Sequence, residues 1–301
     1  MRRLAHRVGL LAVAALVVAG LDPAGVGGGA AAAEESPYTP LSGFDPAELG
    51  EPRVDPSSFS ALDVDLGALR SELADAPRAL GRGVTGAGMT FEVPKPGGGT
   101  ETFSVQRTQV MEPALAAAHP EIATYAGRGV DDPRLTVVLD VTPMGFHAAV
   151  RSPSAGRAWF VDPAVNERGT TEHLAYYGAA VDEPVQGLVE PEDVPEQFSP
   201  GAAAREDGTT ARRGPSAQRA GGGPVDQRVY RVALMNDPSY AQYFGTENVL
   251  AEKATLMNRV NQVYNDDMAI RMVLVEESEK TNLDTRAKAI GADGPCGSAP
   301  C

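Results

Sequence analysis

Cysteine is almost missing from this chain. Of 301 residues only Cys296 and Cys301 are cysteine, both at the far end. Everything before them folds without disulfides. The two bracket Gly297-Ser298-Ala299-Pro300, a loop that one bridge could close in an oxidising compartment; equally, either thiol could pair with a cysteine beyond the end of the chain. Positive charge is also scarce. Lys and Arg number 26 against 40 Asp and Glu, a formal net charge of -14. That balance argues against electrostatic binding to nucleic acid or to anionic lipid. Beyond residue 33 no apolar run is long enough to span a membrane, so no stable membrane anchor is expected.

What is present begins at the N-terminus. Arg2, Arg3 and Arg7 precede an apolar run, VGLLAVAALVVAG at residues 8–20, too short to be a stable transmembrane anchor. A small-residue stretch then ends in Ala31-Ala32-Ala33, followed by Glu34-Glu35-Ser36-Pro37. This is the layout of a secretory signal peptide over residues 1–33, with cleavage between Ala33 and Glu34, and a secreted, extracellular product. The Arg2-Arg3 pair stands without the rest of a twin-arginine motif, and no cysteine follows the apolar run to carry a lipid.

The remaining chain divides by composition. Residues 34–56 are Pro- and Gly-spaced and read as an extended arm without a core of its own. Leu62, Leu66, Leu69 and Leu73 recur at helical spacing, with Asp65 as N-cap and Pro77 as the stop. Residues 87–161 read as short strands. A hairpin is expected about Pro94-Lys95-Pro96-Gly97-Gly98-Gly99, a strand over 135–141, a turn at Thr142-Pro143-Met144-Gly145 and further strands over 146–151 and 159–161. A short helix is expected over 112–118. Residues 198–227 are rich in Gly, Ala, Ser, Thr and Arg with almost no large apolar residue, so they cannot offset their ordering entropy. They read as a disordered linker. Its Arg212, Arg213 and Arg219 are either solvated linker charges or a site for an exported trypsin-like protease.

Structure is expected to resume at residue 228. A strand over 229–235 precedes a helix opening at Gly245-Thr246-Glu247, with Thr246 as N-cap, and running to about Asp266. Leu250, Ala254, Met257 and Val260 share one face of it. Residues 268–275 (MAIRMVLV) read as a strand buried on both faces. Strand, helix, strand predicts a βαβ unit with parallel strands. Such a unit has too little core to stand alone, which predicts a domain cut short.

No catalytic constellation and no metal site is legible. The histidines are His6, His119, His147 and His173. No two stand four apart on a helix, and Gly169 occupies the position where an inverted zinc motif ending in Glu172-His173 would need its first histidine. No Gly-x-Ser-x-Gly elbow and no phosphate loop occur. Gly97-Gly98-Gly99 is a turn, with no strand-to-helix junction after it.

Two segments resemble a known family. Met257-Asn258-Arg259-Val260-Asn261-Gln262-Val263-Tyr264 leads into Met268-Ala269-Ile270-Arg271-Met272-Val273-Leu274. Together with Val229-Tyr230-Arg231-Val232-Ala233-Leu234 this is similar to the opening βαβ of reprolysin-like, adamalysin-type zinc metallopeptidases, a branch of the metzincins. Met111-Glu112-Pro113, Pro120-Glu121-Ile122, Tyr125-Ala126-Gly127, Val130-Asp131-Asp132-Pro133 and Thr142-Pro143-Met144-Gly145-Phe146-His147 resemble the propeptide region of secreted bacterial members. The expected fold class is α+β. It comprises a signal peptide at 1–33, a mostly antiparallel propeptide-like domain at 34–197, a linker at 198–227 and the incomplete opening of an α/β catalytic domain at 228–301.

The resemblance implies a secreted zymogen that hydrolyses protein or peptide substrates. It also implies zinc, held by a His-Glu-x-x-His-x-x-Gly-x-x-His motif that lowers the pKa of a bound water. Those ligands are not in this chain, so the chain as given is expected to be inactive. Residues 1–295 contain no cysteine to mask a metal, unlike the propeptides of some animal relatives. Arg231 stands where several relatives carry a calcium-binding acid. The alternative is a secreted, non-enzymatic binding or inhibitory module built on the β-rich region.

Overall fold

Turn chemistry breaks the front of the chain into short strands, and most of them pair with a neighbour in sequence. A computed structural model describes residues 36–79, 87–154, 156–181 and 226–290. The strands are β1 (Tyr38–Leu41), β2 (Ser60–Val64), β3 (Met89–Pro94), β4 (Thr100–Thr108), β5 (Ala123–Gly129), β6 (Thr136–Thr142), β7 (Gly145–Arg151), β8 (Trp159–Pro163) and β9 (Glu172–Tyr177). They form one large curled sheet in the order β1-β2-β9-β8-β7-β6-β5-β4-β3, antiparallel throughout. With the helices described below, the chain is of mixed α and β structure.

The β3–β4 hairpin turns where expected, on three glycines with φ of +86°, +99° and +72°, conformations that a Cβ disfavours. The β6–β7 turn relies on Gly145, at φ +126°, where a Cβ would lie 2.9 Å from Pro163 Cγ and 3.0 Å from His173 Nε2.

Helix α1 (Leu66–Leu73) is capped by Asp65, whose Oδ1 accepts from the N–H groups of Gly67 and Ala68, each at 2.9 Å. Leu62, expected on the same helix, lies in β2, because a cap at Asp65 leaves it outside the first turn. Residues 34–56 are not a bare arm. β1 pairs with β2, and Tyr38 is buried with its hydroxyl donating to Glu92 O at 3.0 Å. Helix α2 (Pro113–Ala118) follows β4. β5 escaped the sequence reading because its ATYAGRG run is small and Gly-rich. Its backbone comes so near β4 that a Cβ on Gly127 would sit 2.6 Å from Ser104 O.

Beyond residue 226 come β10 (Arg228–Val232), α3 (Pro238–Phe244), α4 (Val249–Met268), β11 (Ile270–Leu274) and α5 (Arg286–Ala289). β10 and β11 pair in parallel, Arg228 opposite Ile270, with α4 between them in sequence, as the βαβ reading requires. α3 was not anticipated. Its N-cap is Asp237, which accepts from Tyr240 N at 3.0 Å. Thr246 does not cap the long helix. It begins a 3-10 turn, and Asn248 precedes α4 with its amide donating to Phe244 O at 2.7 Å, tying α4 to α3.

The expectation that β11 is buried on both faces is also corrected. Only Val273 and Leu274 are buried, where residues 110–112 come alongside. There Glu112 N donates to Leu274 O at 2.9 Å and Leu274 N to Val110 O at 2.8 Å.

Period-two alternation sorts the central strands into two faces. Val137, Leu139 and Val141 of β6 join Phe146, Ala148 and Val150 of β7 in the main core, with Phe91, Phe103, Leu69 and Leu73. A second core draws on both sides of residues 198–227: Met111, Leu115, Ile122 and Met144 pack with Leu250, Ala254, Met257 and Leu274. The two segments separated by composition thus share one apolar cluster. No helix among the described residues is long and apolar enough to cross a membrane.

Candidate functional site

Helix α4 carries two stripes. Leu250, Ala254 and Met257 face the second core. Glu252, Thr255, Arg259, Gln262 and Asp266, spaced by three and four residues, form a polar stripe that lies against the outer face of the sheet.

Each member of that stripe finds a partner from the front of the chain. The Arg53 guanidinium donates to both Glu252 oxygens, at 2.9 and 2.6 Å, and to Asn166 Oδ1 at 3.0 Å. Thr255 donates to Asp140 Oδ1 at 2.7 Å, and Asn258 donates to Leu139 O at 2.8 Å. Arg259 reaches Asp162 Oδ1 at 2.5 Å and stacks its guanidinium 5.4 Å from the Phe160 ring centre. Gln262 donates to Thr136 O and Ala149 O, and Asp266 accepts from Thr136 Oγ1 at 2.7 Å. Arg151 closes the row, facing Asp266 and Asp267.

The centre of this seam is polar and buried. Asp140, His147 and Asp162 are buried. His147 Nδ1 lies 2.9 Å from Asp140 Oδ1, off the line of a good hydrogen bond, and Nε2 has no partner among the described residues. Burial alone would raise the Asp162 carboxyl. Arg259, with His147, Arg53 and the Tyr176 hydroxyl, outweighs burial and holds it below its ordinary value. Tyr176, donating to Asp162 Oδ2 at 2.6 Å, is pushed up by burial and by that carboxylate. The Arg259 guanidinium is disfavoured by burial but held above its usual value by Asp162 and Asp140.

An Asp–His pair beside a hydroxyl invites comparison with a hydrolytic triad, and the geometry rules that out. Thr255 hydrogen-bonds the aspartate rather than the imidazole, and all three side chains are buried. A nucleophile must touch its base and be reachable by substrate. What the arrangement does is bind one surface to another.

His173 is structural. Phe146 N–H can only donate, so Nε2 at 3.0 Å accepts and Nδ1 donates to Thr171 O at 2.7 Å. Burial pushes this imidazole down to about 4. His119 lies at the surface, 3.2 Å from Glu121. Arg231 pairs with Glu112, which also accepts from Glu276 N at 2.8 Å. Lys253 is buried, has no carboxylate in contact among the described residues, and donates to Leu234 O and Asn282 Oδ1, each at 2.6 Å. Burial lowers it to about 8, against the pull of Asp284.

The residues named from sequence as processing or bridging sites, Ala33, Glu34, Arg212, Arg213, Arg219, Cys296 and Cys301, lie outside the described residues, as does His6. The seam itself was missed. Its signal was present in the three-and-four spacing of polar residues on α4, which looks like a solvated face until a partner surface is known. Among the described residues no group of three His, Cys, Asp or Glu side chains could hold a metal ion. No family model and no curated protein matches the chain.

Proposed function

We propose that residues 36–181 act as folding template and cover for the β10–α4–β11 unit in the precursor of a secreted zinc endopeptidase. The observation that supports this reading best is the character of the seam. One whole stripe of α4 meets the sheet through ion pairs and hydrogen bonds rather than apolar packing. Groups of this kind are well solvated when separated, which eases parting along this stripe, while the smaller apolar cluster of Met111, Leu115, Leu250 and Met257 must also be exposed when the two sides part. A permanent core would favour apolar residues there. The parallel pairing of β10 with β11 and the resemblance of residues 257–274 to reprolysin-like enzymes give the direction of the reading. The described residues do not fit a zinc site, and no step of hydrolysis is assigned to them.

The test uses the complete precursor encoded by the gene. Trypsin is used to cut within residues 198–227, and zinc content and casein hydrolysis are followed before and after. The expected result is stoichiometric zinc and a chelator-sensitive activity that rises when the front segment departs. A precursor that binds no zinc and cuts no casein after cleavage would overturn the proposal and favour a binding module.

A further inference from the structure

The chain is acidic, yet three of its arginines line one cleft without an acid beside them. Arg78 follows α1, Arg107 ends β4 and Arg271 lies on β11, so the cleft forms only where the front and rear segments meet. None of the three has a carboxylate partner among the described residues, whereas Arg53, Arg134, Arg151, Arg231 and Arg259 each face one. Arg271 Nε is buried with no hydrogen-bond partner. Burial holds that guanidinium below its ordinary value, and nothing nearby offsets the effect. Val110, Ala116 and Ile122 add aliphatic surface to the lining, beside Thr108 and Thr124. Guanidiniums lining one cleft repel one another, and a carboxylate bound between them relieves that repulsion.

We propose that this cleft binds an extended acidic peptide, with its carboxylates on Arg107 and Arg271, a further acid near Arg78, and its aliphatic side chains along the Val110–Ile122 surface. The charge complementarity selects the ligand. An arginine presents a planar fork matched to a carboxylate, and the aliphatic surface gives an alternating acidic and aliphatic peptide an advantage over a bare anion. The site adjoins the α4 seam, for Arg271 also lines a pocket with Gln262 and with Asp266, whose carboxylate faces Arg151, and it does not depend on the chain being a protease precursor.

Fluorescence anisotropy of the full chain with a labelled peptide of alternating Glu and Val tests the assignment, with the Gln–Val peptide and inorganic phosphate as comparators. The Glu–Val peptide is expected to bind about tenfold or more tightly than the Gln–Val peptide, and phosphate to compete only weakly. R107Q and R271Q are each expected to weaken binding about tenfold, with R107K restoring part of the loss. Arg107 makes no ion pair among the described residues, so R107Q is expected to keep the wild-type circular dichroism and melting point. It remains decisive if R271Q unfolds. Equal binding of the Glu and Gln peptides, phosphate binding as tight as the peptide, or a folded R107Q of unchanged affinity would each overturn the proposal.

Discussion

The two faces of strands β6 and β7 are built from opposite chemistry. The inner face packs Leu139, Val141, Phe146 and Val150 into an apolar core, while the outer face presents Thr136, Asp140 and His147 to α4. Both are buried. Burial of apolar area is non-directional and tolerates any well-packed shape, and it stabilises by roughly 25 cal/mol per Å². A buried polar surface tolerates only the partner that satisfies each of its groups, and contributes little net energy once desolvation is counted. The inner face therefore stabilises the sheet, and the outer face selects what may lie on it.

Substitutions can break that comparison. The largest effect is expected from Phe146→Ala, which empties a site where the Phe146 ring meets Tyr38, Phe91 and His173. A loss of about 3–5 kcal/mol is expected, seen as cooperative loss of the whole sheet in chemical denaturation. Native-like hydrogen-exchange protection in the sheet of this variant would contradict the assignment of the inner face.

Acid comes next. His173 is held near 4 in the fold against about 6.5 when unfolded. Between those values the unfolded chain binds more protons than the folded one, so stability falls as pH drops through that window. The integrated loss is about 3 kcal/mol by pH 4. The depressed Asp162 carboxyl adds to the loss at still lower pH. H173Q keeps a donor and an acceptor, and a denaturation series across pH 7 to 4 is expected to be flatter for it. Unchanged acid sensitivity would place the effect elsewhere.

Arg259→Met follows. It strands the buried Asp162, but the Arg259 side chain keeps 28% exposure, so about 2 kcal/mol is expected rather than the roughly 3–5 of a fully buried pair. Its signature should be local: faster hydrogen exchange in α4 with the sheet still protected. The D162N/R259M pair is expected to recover part of the loss, because the stranded charge is gone. A uniform loss of protection would mean that both faces belong to one cooperative unit. The smallest effect is expected from Thr255→Val, about 1 kcal/mol for one hydroxyl bond to Asp140, read as a small shift in the urea midpoint.

Much of the layout was legible because it rests on local chemistry. Asp65 caps α1 because a short carboxylate before a helix meets free N–H groups. The glycines at 97–99 turn a hairpin because they tolerate positive φ. The βαβ order of residues 228–274 was readable from its periodicity. β1 and β9 were not, since β1 is held by pairing with β2, and β9 by strands on both sides. The composition boundary at residues 198–227 also concealed the second core, whose members come from Met111 to Leu274.

By itself the sequence determined the short antiparallel strands and the helix between two parallel strands, since turn residues and hydrophobic spacing act over a few positions. Only the tertiary structure decided the meaning of Glu252, Thr255, Arg259, Gln262 and Asp266, and of three arginines drawn from distant parts of the chain. A polar side chain is indifferent in sequence between water and a partner. What stands within hydrogen-bond distance once the chain has closed on itself settles that choice.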